Sequence, residues 1–185
     1  LTERSSRGRP FFSEYLYVTA SQLADIKWNL LPIFRAFSKI GYYDRVVTDL
    51  YPMEVEFTQE QENEWFDCLH LFSLQAEAIL SRYLSLPSRV NIIAAPVEPE
   101  TRLKILCAIV QCIPERYRKN ISFATLGSNT SGTAKIFFSS EQDGNAQSVD
   151  WVAPTVPNLS GIIYSNWVAG LIAKENAQNL RSEIS

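Results

Sequence analysis

The stretch from Pro99 to Thr125, PETRLKILCAIVQCIPERYRKNISFAT, constrains this chain more than any other. Leu103, Leu106, Cys107, Val110 and Ile113 recur at helical spacing, and Ile105, Ala108, Ile109 and Cys112 form a second apolar stripe. Only Arg102, Lys104 and Gln111 interrupt the girdle. A helix that is apolar on two sides is packed on two sides, so the pattern places it between a sheet and another helix. Glu98, Glu100 and Thr101 stand at its start, where acidic groups suit the positive end of the helix dipole. Pro114 disfavours helical geometry at Ile113 and marks a stop or a restart. Arg116, Arg118 and Lys119 follow in a short basic turn; Ile121, Phe123 and Thr125 then alternate with Ser122 and Ala124 as in a strand. Upstream, Arg89 to Ala95 reads as a further strand, ended by Pro96. Strand, helix and strand joined this closely predict a crossover unit.

The remainder of the chain supplies partners for that unit. Phe11 to Thr19 is rich in aromatic and β-branched residues and reads as a strand. Ser21 is placed to cap a helix over about 22–39, with Leu23, Ile26, Leu30, Phe34 and Phe37 inward. Pro32 predicts a kink there, or two short helices with the proline opening the second. Thr58 and Gln61 form a capping-box pattern ahead of one long amphipathic helix, about 59–84, whose stripe runs through Trp65 or Phe66, Leu69, Phe72, Ala76, Ile79 or Leu80, and Tyr83. Strands are expected at 133–140 and 148–153, joined by the Asp143-Gly144 turn as a hairpin, and a last helix at 160–178. The reading is a single α/β or α+β domain: a mixed sheet of about five strands (11–18, 89–95, 121–126, 133–140, 148–153) covered by about four helices. Residues 1–10 are read as a flexible basic arm and 11–185 as the globular part. The chain opens on Leu1 rather than Met, and the expectation is a segment of a longer polypeptide.

A length of 185 residues suffices for one full core. A net charge of −3 excludes a general polyanion binder by composition. Cys68, Cys107 and Cys112 are an odd set within apolar helical stretches. Cys107 and Cys112 point roughly 140° apart on one helix, too divergent to bridge. Reduced thiols suggest a cytoplasmic setting, and no apolar run approaches membrane-spanning length.

Most catalytic signatures fail. Gly127-Ser-Asn-Thr-Ser-Gly132 lacks the Lys and Ser/Thr that a phosphate loop requires, and a strand rather than a helix follows it. His70 is the only histidine, and Cys68 two residues away does not face it on a helix. With one histidine and scattered cysteines, no metal site or cofactor is expected. Glu60, Glu62 and Glu64 are accounted for by helix-start electrostatics. Two alternatives stay open. Glu14, Glu54 or Glu56 could serve a carboxylate-dependent hydrolase; Arg7 and Arg9 with Arg116 and Arg118, near Phe12, Tyr15 and Tyr117, could hold a nucleotide or a single strand.

Three features converge on one family. Arg7-Gly8-Arg9-Pro10 runs into Phe12-Ser13-Glu14-Tyr15-Leu16; the central helix ends at Ile113-Pro114; and Ile121-Ser122-Phe123-Ala124-Thr125 follows. This resembles the amino-terminal region of the GTPase-associated proteins of bacterial conflict and signalling clusters. There a Gly-Arg-Pro start precedes a Phe-x-His-x-Leu strand, and a Leu-Pro helix end precedes a Leu-Ser-Phe-Ser-Thr-like strand. Glu14 stands in place of that histidine and Ile113 in place of the leucine. The resemblance implies a non-catalytic adaptor that engages a protein partner, a GTPase among the candidates, and it transfers no catalytic residue. Arg7, Arg9, Phe12, Glu14, Arg116 and Arg118 are the expected partner-binding residues; the acidic region Glu54–Glu64 is the other candidate surface.

Overall fold

The computed structural model describes residues 3–4, 10–11, 18–39, 55, 58–85, 89–125, 134–157, 163–174 and 177–184. In chain order they form β1 (Glu3–Arg4), β2 (Pro10–Phe11), α1 (Ala20–Asp25), α2 (Leu31–Lys39), α3 (Gln59–Leu71), α4 (Ser73–Ser85), β3 (Arg89–Ile93), α5 (Pro99–Gln111), α6 (Glu115–Arg118), β4 (Phe123–Ala124), β5 (Ile136–Phe138), β6 (Ala146–Asp150), α7 (Ile163–Ile172) and α8 (Ala177–Ile184). The main sheet is parallel throughout, in the order β4-β5-β3-β6. The α/β class holds, but the expected mixed sheet of about five strands is, among the described residues, an all-parallel sheet of four.

Helix α5 occupies the place its sequence demanded. Leu103 and every residue from Ile105 to Gln111 are buried, and α5 packs against α2, α3 and α4. Its apolar residues share one core with Val90, Ile92, Ile136, Phe138 and Val149 of the sheet. Pro114 restarts the chain as the cap of α6. Pro32 sits at the second position of α2, where its missing N–H is not needed by the helix.

Several expectations are corrected. Strands β5 and β6 do not form a hairpin: β3 lies between them, parallel to both. The Asp143-Gly144 turn does form, with Asp143 Oδ1 accepting from the Asn145 N–H at 2.9 Å, but it feeds a short crossing instead. Fully buried Ile136–Phe138 is flanked by β3 on one side and β4 on the other, and a turn cannot outweigh that gain. Pro10–Phe11, the start of the expected first strand, pairs antiparallel with Glu3–Arg4 in a separate two-stranded sheet. Glu3–Arg4 thus gives strand structure to part of the expected arm; residues 12–17 lie outside the described residues. Thr19 rather than Ser21 caps α1, in a capping box with Gln22. The long helix divides at Phe72, although the Phe72 N–H to Cys68 and Ala76 N–H to Phe72 bonds bridge the break. The terminal helix is two helices, α7 and α8.

The two sheet faces differ. Strand alternation puts Val90 and Ile92 toward the helices and Arg89 and Asn91 on the other face. Asn91 stands level with Phe137 and Ser148. Segment 139–145 crosses from β5 to β6 and is tied to β3 there. Asn91 Nδ2 donates to the Glu141 carbonyl at 2.8 Å, and Ser139 Oγ donates to Asn91 Oδ1 at 2.8 Å. Arg89 Nη1 pairs with the buried Asp143 carboxylate at 3.0 Å, and Arg89 Nε donates to the Ala134 carbonyl at 3.1 Å. The Arg89 guanidinium lies 4.4 Å from the Phe137 ring centre.

Candidate interaction surface

The carboxyl ends of parallel strands are where α/β folds usually hold ligands. Here the polar groups at those ends bind one another. Arg102 of α5 donates from Nε to the Pro96 carbonyl at 2.5 Å and from Nη1 to the Thr125 carbonyl at 2.8 Å, so it clamps the ends of β3 and β4. Asp150 Oδ1 accepts from the N–H groups of Val152 and Ala153. The Thr101 hydroxyl donates to the Glu98 carboxylate.

A second polar group joins three helices. Arg35 of α2 forks onto Glu64 of α3 at 2.6 and 2.7 Å and reaches Glu100 of α5 at 2.6 Å. Lys104 lies 3.4 Å from Glu64 and 3.6 Å from Glu100. The hydrogen bonds from Arg35 hold both carboxyls below their ordinary value, and the pair raises Arg35 above its own. Two cations therefore neutralise two anions, and a carboxyl pushed down in this way is a poor general acid near neutrality.

The cysteines are inert. All three are free and buried, and burial pushes each thiol up to about 12. Cys68 lines an apolar cavity of about 10 Å³ with Phe72, Ala76, Ile105, Ile109 and Trp151. That is the size of one water, without the polar partners a water needs. His70 is exposed, its ring edge-on to Phe66 at 4.4 Å. Among the described residues no group of three His, Cys, Asp or Glu side chains could hold a metal ion, and no helix is long and apolar enough to cross a membrane.

The expected partner-binding residues fare differently. Arg116 is exposed, its guanidinium 4.8 Å from the ring centre of Tyr117, itself 48% exposed. Arg118 turns inward: it is 8% exposed, with Nε donating to the Ile113 carbonyl at 2.7 Å and Nη2 to the Gln111 carbonyl at 2.9 Å. It seals the end of α5 and is not presented to a partner. Arg7, Arg9, Phe12 and Glu14 lie outside the described residues, as do Glu54, Glu56 and the Gly127–Gly132 loop.

What the surface does offer is apolar. Leu71 is 74% exposed, Leu74 49% and Val152 78%. Leu71 and Leu74 lie within two residues of Phe72 and Val152 follows Trp151; the Phe72 and Trp151 ring centres are 4.9 Å apart, and Gln75 Nε2 donates to the Trp151 carbonyl at 3.2 Å. The group therefore sits where the α3–α4 break meets the end of edge strand β6. Its sequence signal was available: Leu71 and Leu74 fall off the stripe that runs through Leu69, Phe72 and Ala76.

Comparison with protein-family models, curated proteins and solved structures finds no match. The surface is therefore read from its own chemistry.

Proposed function

We propose that this chain is a non-catalytic protein-interaction module, an adaptor that contacts its partner through the apolar group at Leu71, Leu74 and Val152. The observation that carries the reading is three well-exposed aliphatic side chains that lie in the chain within two residues of the two partners of one aromatic contact, a concentration of exposed apolar surface of the kind that marks interaction sites. The motif resemblance makes a GTPase of a bacterial signalling or defence assembly the first partner to test, with the Arg7/Arg9 arm as a second contact. Three unpaired cysteines favour a reducing, cytoplasmic setting for that encounter.

A competing reading, single-stranded nucleic acid, draws on the exposed Arg116–Tyr117 pair. Affinity capture from the native host separates the two, with the wild-type chain, a Leu71→Lys/Val152→Lys variant and an Arg7→Glu/Arg9→Glu variant as baits. A specific protein held by the wild type and lost from the Leu71/Val152 variant is the expected result. Loss from the arm variant alone would keep the adaptor and move its surface. Recovery of nothing but nuclease-sensitive material would replace the adaptor with nucleic-acid binding.

A further inference from the structure

The turn that closes α1 combines backbone strain with unmatched buried polar groups. Lys27 has φ 53° and Trp28 φ 60°, two consecutive left-handed residues, neither of them glycine. The turn is a helix-ending motif in which the Trp28 N–H reaches the Leu23 carbonyl at 2.7 Å and the Lys27 N–H the Ala24 carbonyl at 2.8 Å. Glycine normally occupies the first left-handed position of such an ending. Against it packs Gln111 of α5, 1% exposed, whose Nε2 donates to the Lys27 carbonyl at 2.6 Å. Gln111 Oε1 and Trp28 Nε1 are both buried without a hydrogen-bond partner. Strain and unpaired buried dipoles thus coincide at one point.

On either side the chain is well made. Helix α1 carries its own capping box at Thr19 and Gln22, and Ser21, Gln22, Ala24 and Asp25 face solvent. Beyond the turn, Asn29 Oδ1 accepts from the Leu31 N–H at 3.2 Å, and Leu31 is fully buried in the core. A self-capped, largely exposed helix is joined to a firmly seated one by a frustrated turn.

From these features we infer that Lys27–Trp28 is a hinge with two arrangements, about which α1 swings relative to α5, with Gln111 as the latch. In the closed arrangement the strain is held by the Gln111–Lys27 bond. In the open one both residues leave the left-handed region, and the Trp28 indole N–H and the Gln111 amide gain partners. Helix α1 moves as a unit because its caps lie within it. The inference does not depend on the adaptor reading, since it concerns only how α1 is attached.

Relaxation-dispersion NMR on the full chain tests it, read at the four indole N–H signals and the backbone amides. Trp28→Phe assigns the Trp28 indole. Microsecond-to-millisecond exchange is expected at the Trp28 indole and the amides of α1, and not at the Trp65 and Trp151 indoles. Lys27→Gly removes a left-handed side chain from the closed state and is expected to lower the open population about fivefold. Gln111→Met breaks the latch and is expected to raise it about fivefold. Ala94→Gly, at the other positive-φ site (φ 55°), relieves strain elsewhere and leaves α1 unchanged. Flat profiles at Trp28 and α1, or exchange indifferent to both Lys27→Gly and Gln111→Met, would overturn the hinge.

Discussion

The two faces of the parallel sheet solve one problem by different means. On the helical side, Val90, Ile92, Ile136, Phe138 and Val149 meet α5 and its neighbours in one apolar core. On the opposite side, Asn91, Ser139 and Asp143 are as deeply buried, yet they are polar and tied by specific hydrogen bonds to each other, to Arg89 and to the crossing at 139–145. Parallel strands ordinarily read as apolar runs because both faces are covered by helices. The sequence Arg89-Val-Asn-Ile-Ile93 instead alternates through Asn91, as a strand does when one face is packed by something other than helix side chains. An apolar face tolerates imperfect neighbours at a graded loss. A buried polar face is all or none, because each unmatched group retains its full desolvation penalty.

That contrast can be broken from either side, with urea unfolding as the measurement. Arg89→Met should be the costliest change, about 4 kcal/mol, because it leaves the buried Asp143 carboxylate without its cation. Adding Asp143→Leu should recover most of the loss; a double variant as unstable as the single one would refute the all-or-none view of this face. Ile92→Ala on the helical face should cost about 3 kcal/mol through lost contact and a residual cavity. Asn91→Leu, which keeps volume but abandons the Glu141 carbonyl and the Ser139 hydroxyl, should cost about 2 kcal/mol.

Smallest is Arg35→Met, about 1 kcal/mol near neutral pH, since the four charges are partly exposed. Its signature is pH dependence. Glu64 and Glu100 have folded pKa values below the ordinary 4.5, so their contribution is present above about pH 4.5 and is lost as the pH falls through the folded values. Wild type should therefore lose stability on acidification more steeply than Arg35→Met, and the two curves should converge at the acid end. Parallel curves would mean that Arg35 does not couple the three helices.

Local patterns were legible wherever one element's own periodicity decided the outcome. The two-sided burial of α5, the helix restart at Pro114 and the role of Pro32 followed from residue spacing and proline geometry. Pairing was not legible. The Asp143-Gly144 turn forms as its residues require, but which strands then neighbour one another depends on β3, more than forty residues upstream. The surface was read only in part. Arg116 and Arg118 look alike in sequence, yet Arg118 is drawn in by the free carbonyls at the end of α5 while Arg116 stays out on Tyr117. The link between Arg35, Glu64, Glu100 and Lys104 has no sequence signature, because ion pairing across three helices depends on how the helices pack.

By itself the sequence determined the central helix, the strands on either side of it and the restart at Pro114, because each rests on residue type and short-range spacing. Only the tertiary structure decided the all-parallel order, the crossing that locks onto Asn91, the burial of Arg118 and the exposure of Leu71, Leu74 and Val152. These depend on contacts between residues far apart in the chain, and no local pattern encodes which distant surface will be there to meet them.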